Sequence, residues 1–155
     1  MFELHEITDN KEKAVITRQI LYNLPNWFQD KQAIEDYAKS AAKNFFYVVN
    51  NHAKIPVGFL NLKILNLFSA EVEVMGVNKN YHRKGIGTLL IKKAIHYLQC
   101  NDYKYLSVRT LSESSYDLWY KDTRNFYFAQ GFYPLNEMED MWGKENPCVI
   151  MVRSL

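Results

Sequence analysis

Cysteine, proline and glycine are all scarce in this chain, with two, four and six copies in 155 residues. Cys100 and Cys148 make neither a disulfide framework nor a metal-ligand spacing. They read as reduced thiols of a cytoplasmic protein. Cys100 ends a predicted helix beside Asn101-Asp102, with no adjacent histidine or basic group to activate it. His5, His52 and His96 are scattered, so no metal site is expected. No linker, repeat or low-complexity segment interrupts the chain, which reads as a single domain over 1–155. Long apolar runs are missing too: the segment 59–68 is broken by Asn61, Lys63 and Asn66, far short of the roughly 20 residues of a membrane span. The start, MFELHEITDN, lacks the basic-then-apolar pattern of a secretory leader. Charge of one sign is also missing. There are 19 basic and 17 acidic residues, for a net +2 and no long basic run. A broad nucleic-acid footprint is therefore not indicated.

What is present is apolar and aromatic. Hydrophobic residues make up 48%, and eleven Tyr, nine Phe and three Trp bring the aromatics to 15%. That composition supplies a core and amphipathic pocket walls. Residues 3–8 alternate as a strand. Asp9 or Asn10 caps a periodic helix running to Leu24 and ended by Pro25. Asp30 caps a second helix to about Ala42. Strands follow at 45–49, 56–65 and Ser69–Val77, the first two joined by the turn residues Asn50-Asn51-His52. A helix at 85–99, a strand at 106–111, a helix at 122–130 ended by Gly131, and strands at 132–135 and Cys148–Ser154 complete the order. Three consecutive strands predict antiparallel hairpins. The strand–helix–strand unit around 85–99 predicts a parallel crossover. A mixed α/β sheet with helices on both faces follows.

The sharpest feature is the loop 78–87, which joins the strand Ser69–Val77 directly to a helix. The first turn of a helix leaves backbone N–H groups without internal partners, and the dipole adds positive charge there, so the start of this helix favours phosphate. Gly85 and Gly87 let oxygen atoms approach the backbone, while Arg83 and Lys84 add mobile charge. The loop is neither a P-loop nor a three-glycine dinucleotide fingerprint.

The segment His82-Arg83-Lys84-Gly85-Ile86-Gly87 resembles the acetyl-CoA motif of the GCN5-related N-acetyltransferase (GNAT) superfamily, Gln/Arg-x-x-Gly-x-Gly/Ala, with His82 where Gln or Arg is usual. The segment Phe126-Tyr127-Phe128-Ala129-Gln130-Gly131-Phe132 resembles that family's Phe-Tyr-x-x-x-Gly-Phe. The element order is similar over essentially the whole chain. The resemblance implies a central, mostly antiparallel sheet of six to seven strands, splayed at the cofactor site and flanked by about four helices. It implies acetyl-CoA as acetyl donor, with no metal. The cofactor would lie against Met75, Gly76 and Val77, with His82, Arg83, Lys84, Gly85, Ile86, Gly87 and Thr88 around its pyrophosphate. The asparagine that often precedes the family's tyrosine is replaced by Tyr120, and Asn125 is a candidate substitute.

Direct attack by an amine on a thioester needs a neutral nitrogen and a proton for the departing thiolate. The resemblance assigns the donor role to Tyr127 and a base role to a glutamate on the strand Ser69–Val77. Glu71 and Glu73, two residues apart, are expected to share one face, with Val72 and Val74 on the other. Glu71 aligns with the base of the histone-acetylating members, and the choice between the two stays open. The resemblance implies acceptor recognition by Trp27-Phe28, by 112–120 and by 137–142, where Glu137, Glu139 and Asp140 lie near Trp142 in sequence and would suit a cationic amine. The reading is an N-acetyltransferase of a small-molecule amine. A protein or peptide acetyltransferase and a non-catalytic acyl-CoA sensor are the alternatives. A homodimer is common in the family.

Overall fold

The computed structural model describes residues 1–112, 117–143 and 146–155. Seven strands form one sheet: β1 (Glu3–Glu6), β2 (Phe45–Asn50), β3 (Pro56–Ile64), β4 (Ser69–Val77), β5 (Tyr105–Leu111), β6 (Tyr133–Met138) and β7 (Cys148–Ser154). Their order across the sheet is β1-β2-β3-β4-β5-β7-β6. Only β4 and β5 run parallel, joined by the crossover helix α3 (Ile86–Cys100). The mixed, mostly antiparallel sheet expected from the sequence is present, with four helices around it.

Helices α1 (Asn10–Leu21) and α2 (Lys31–Ser40) cover one face. Asp9 and Asp30 cap them, their carboxylates accepting first-turn N–H groups. Helix α1 stops at Leu21, three residues short of the expected Leu24. The N–H groups of Asn23 and Leu24 bond back to Ile20 and Leu21 as tight turns, and Pro25 disfavours helical backbone at the residue before it. On the other face lie α3 and α4 (Leu118–Ala129). Helix α4 starts a turn earlier than expected. Asp117, not Asp122, is its cap, accepting from the N–H groups of Trp119 and Tyr120.

The pleat sorts the core into two layers. Phe46, Val48 and Phe59 pack with Ile16, Ile20, Leu21 and Ile34 under α1 and α2. Tyr47, Val49, Leu60 and Leu62 pack with Ile86, Leu90, Ile91 and Phe132 under α3 and α4. Strand β4 breaks the alternation. Asn61 pairs with Val74 and Leu62 with Val72, so Glu73 has no residue opposite it on β3. This one-residue bulge resets the parity of the strand. Contrary to the sequence expectation, Val72 and Val74 do not share a face: Val72 lies in the α3/α4 layer and Val74 in the α1/α2 layer. The bulge brings Met75 and Val77 to the α3/α4 side.

Candidate active site

Strands β4 and β5 pair over four positions, from Ser69 opposite Tyr105 to Val72 opposite Val108. Past that point each strand stays paired on its outer side, β4 with β3 as far as Val77 and β5 with β7 as far as Leu111. The two inner edges therefore part, and the bulge at Glu73 sits where they do. Between them opens a cleft of about 620 Å³, a size suited to a small-molecule or cofactor site.

One half of the cleft ends at the N-terminus of α3. Gly85 caps this helix with φ +81° and no side-chain hydrogen bond, so the N–H groups of the first turn stay available. Arg83 is also left-handed, at φ +61°. The two glycines of the loop do different jobs. Gly85 provides a positive φ, and the space where its Cβ would stand is open. Gly87 provides packing room, because a Cβ there would lie 3.0 Å from the Phe126 ring of α4. Both glycines line the cleft, and at Gly87 the missing side chain also makes room for α4. Met75, Gly76, Val77, His82, Arg83, Gly85, Ile86, Gly87, Thr88 and Asn125 all line the cleft. Lys84 does not. Its ammonium lies over the Tyr81 ring, 5.4 Å from the centroid.

His82 Nε2 donates to the Val77 carbonyl at 2.7 Å. A carbonyl can only accept, so the proton sits on Nε2. The ring also meets Trp27 edge-on at 5.3 Å. Trp27 in turn meets Trp119 at 5.2 Å and donates from Nε1 to the Trp119 carbonyl. The Tyr120 hydroxyl donates to the Trp27 carbonyl. Tyr120, standing where the family often has asparagine, thus ties α4 to the α1–α2 loop.

Tyr127 lines the cleft with its ring between Phe126 and Phe132. Burial pushes its phenol well above the ordinary tyrosine value. Among the described residues its hydroxyl has no hydrogen-bond partner. The Thr110 hydroxyl, also on the cleft wall, is buried with no partner among the described residues. Buried polar groups are ordinarily satisfied, so both hydroxyls are candidate donors on the cleft wall.

Glu71 and Glu73 have different surroundings. Glu71 is buried and absent from the cleft lining, with Oε2 3.1 Å from Arg109 Nη2. Burial pushes its carboxyl up; Arg109 and Lys63 offset part of that, and the Glu73 charge adds a smaller push. Glu73 lines the cleft. Its Oε2 accepts from Ser40 Oγ at 3.0 Å, Asn44 Nδ2 at 2.6 Å and Asn61 Nδ2 at 3.2 Å. Those three donors fix the side chain and leave Oε1 without a partner among the described residues.

Phe28, Tyr37, Trp27, Trp142 and Arg109 line the same cleft as Glu73. Glu137, Glu139 and Asp140 do not line it. Glu113 to Tyr116 of the expected acceptor loop, and Lys144 and Glu145, lie outside the described residues. Sequence reasoning missed Arg109, Thr110 and the donors Ser40, Asn44 and Asn61. Only Arg109 left a signal, as a lone cation inside the strand Tyr-Leu-Ser-Val-Arg-Thr-Leu. Cys100 also differs from expectation. His96, one helical turn away, has Nε2 3.7 Å from its Sγ, but the pair is outside the cleft. Among the described residues no group of acidic, histidine or cysteine side chains forms a metal site, and no helix is long and apolar enough to cross a membrane.

A sequence profile of the acetyltransferase (GNAT) family matches residues 14–132. The chain belongs to that family. As a GNAT protein it is an N-acetyltransferase, and solved structures share its fold across the whole length. A GNAT family acetyltransferase from Elizabethkingia anophelis, with acetyl-CoA bound, is 17% identical, with 99% of this chain and 98% of that chain covered at a TM-score of 0.76. Ard1 from Thermoplasma volcanium is 14% identical, with coverage of 99% and 97% and a TM-score of 0.79. The ribosomal-protein-S18-alanine N-acetyltransferase from Escherichia coli is 14% identical, with coverage of 99% and 94% and a TM-score of 0.78. No curated protein matches by sequence. Other GNAT proteins thus act on partners as different as a ribosomal protein, and the acceptor of this one rests on its own cleft.

Proposed function

We propose that this chain transfers the acetyl group of acetyl-CoA to a primary amine of a small molecule, by direct attack in a ternary complex. The observation that carries this reading is the fork between β4 and β5. It gathers a helix start with no side-chain cap and, among the described residues, an unpartnered tyrosine hydroxyl and a partly free carboxylate around one cleft. The donor is supported by the start of α3, where free N–H groups and the helix dipole suit a pyrophosphate and Arg83 adds charge.

Acetyl-CoA supplies a thioester carbonyl as electrophile and a thiol as leaving group. Glu73 Oε1 takes the proton that the acceptor nitrogen must lose, directly or through one water, while Ser40, Asn44 and Asn61 hold the carboxylate in place. Tyr127 gives its proton to the departing sulfur; its raised phenol stays neutral, and so remains a donor, at working pH. Thr110 and Asn125 offer further hydrogen bonds along the cleft wall. Glu71, tied to Arg109, shapes the site without facing the reacting atoms.

A small acceptor is supported by the aromatic lining of the cleft. Trp27 is held to Trp119, Tyr120 and His82, so an aromatic bar from the α1–α2 loop lines the cleft and favours a compact acceptor over an extended peptide. The test is a panel of amines with acetyl-CoA, followed by thiol release. Turnover of small amines in preference to peptides is expected. Tight acetyl-CoA binding without turnover of any amine would remove the enzyme reading, and preference for peptides would move the acceptor class.

A further inference from the structure

Glu73 and Arg109 are the first residues past the fork on their respective strands, following the last β4–β5 pair, Val72 with Val108. They carry opposite charges and line one cleft. Yet they make no ion pair with each other, and each is held from behind by other groups. Glu73 has its three donors on Oε2. Arg109 has Glu71, through Nη2 at 3.1 Å. The Arg109–Glu71 pair is lopsided: the Glu71 side chain is 9% exposed and that of Arg109 40%. Arg109 is thus the exposed partner of the pair, and it lines the cleft while Glu71 does not. A guanidinium has five donors in a planar fork; one is used on Glu71, and another makes only a sulfur contact with Met141 at 3.6 Å.

We propose that the acceptor is a zwitterionic amino-carboxylate, of the size of a free amino acid, whose nitrogen faces Glu73 and whose carboxylate is held by the open edge of Arg109. This rests on the acetyl-transfer reading above and names its substrate class. A simple monoamine satisfies Glu73 and leaves the Arg109 donors to water. A carboxylate without an amine faces Arg109 but brings like charge toward Glu73. An amino-carboxylate answers both at once, and a paired guanidinium–carboxylate fork fixes the nitrogen's direction as a single point charge does not. Phe28, Tyr37 and Trp142 form the apolar wall around these charges, which strengthens each of them. Arg109 is a specificity residue here, since it binds the acceptor away from the reacting nitrogen.

The experiment compares kcat/KM, with acetyl-CoA, for an amino acid, its carboxamide and its decarboxylated amine. It uses the full chain, Arg109→Lys, and the double variant Glu71→Gln with Arg109→Gln. The double variant removes the ion pair as a unit and leaves no buried carboxylate unpaired; thermal melts check that both variants fold. Wild type should favour the amino acid over the decarboxylated amine by about 10- to 100-fold, the worth of a charge-assisted pair. That ratio should fall to near one in the double variant, with Arg109→Lys between the two and the loss carried by KM. A wild-type ratio of one or less, or a ratio unchanged in the double variant, overturns the proposal while acetyl transfer itself stands. Acetyl-CoA binding with no turnover of any of the three compounds overturns this proposal, while acetyl transfer falls only if the wider amine panel is not turned over either; faster turnover of a peptide than of the free amino acid overturns the amino-acid class.

Discussion

The ring of Phe126 stands 3.0 Å from where a Cβ on Gly87 would lie, so the start of α3 and the middle of α4 touch through a missing side chain. Gly87→Ala should therefore cost stability, about 1–3 kcal/mol for overpacking, even though alanine suits a helix better than glycine. Phe126→Leu should recover part of that loss in the double variant. Denaturant melts of the four proteins give the coupling, and a Gly87→Ala protein as stable as wild type would remove the contact from the account.

Tyr127 has no partner for its hydroxyl among the described residues, and burial raises its phenol. Tyr127→Phe should lower kcat by about 10²- to 10³-fold, the range of a lost proton donor. Acetyl-CoA affinity should stay within a few-fold. Because the raised phenol stays protonated beyond its ordinary value near 10, the wild-type rate should show no alkaline limb from Tyr127 below that pH. A fully active Tyr127→Phe enzyme sinks the assignment.

The two strand glutamates can be separated by the same logic. Glu73→Gln keeps the bonds from Ser40, Asn44 and Asn61 within reach and removes only the basic oxygen. It should lower kcat by about 10²-fold or more and change the pH–rate profile. Glu71→Gln leaves the cleft lining as it is and should shift KM more than kcat. Equal and unchanged profiles in both variants would take the base role away from this strand.

Much of this arrangement can be read from residue order, and the part that cannot has a local cause. Asp9, Asp30 and Gly131 announce their helix ends by side-chain chemistry alone. The strand, loop and helix around Gly85 announce an anion site because helix-end physics is local. The bulge at Glu73 does not announce itself: the run Glu-Val-Glu-Val looks like plain alternation, and only the register against Asn61 and Leu62 resets it. Arg109 and its partner Glu71 are 38 residues apart in the sequence, joined through the parallel β4–β5 pairing. Ser40 and Asn44 reach Glu73 across the α2–β2 junction. Contacts of that range follow from topology rather than from any local pattern.

The aromatic bar lining the cleft hangs on Tyr120, whose hydroxyl donates to the Trp27 carbonyl. Tyr120→Phe deletes that bond and leaves the ring. The α1–α2 loop should then close less firmly, raising the acceptor KM several-fold with a smaller effect on kcat. Trp27→Ala, which also removes the contacts to His82 and Trp119, should go further in the same direction. Steady-state kinetics at saturating acetyl-CoA reads this directly. A Tyr120→Phe enzyme with unchanged acceptor KM would show that the bar plays no part in acceptor binding.

Five tyrosines, Tyr37, Tyr47, Tyr97, Tyr120 and Tyr127, have phenols raised chiefly by burial. The sign of the consequence is fixed by linkage. The unfolded chain ionises these groups near pH 10, while the folded chain holds them neutral, so the folded state binds more protons and loses stability as pH rises. Their contribution is complete below about pH 10. For Tyr47, pushed up to about 12, it disappears between about 10 and about 12, at roughly 1.4 kcal/mol per pH unit. Melting temperature should therefore be insensitive to these groups up to pH 9 and fall steeply above 10. Tyr47→Phe, which keeps the ring in the core, should flatten that fall. Parallel curves for wild type and Tyr47→Phe would mean that alkaline instability comes from elsewhere in the molecule.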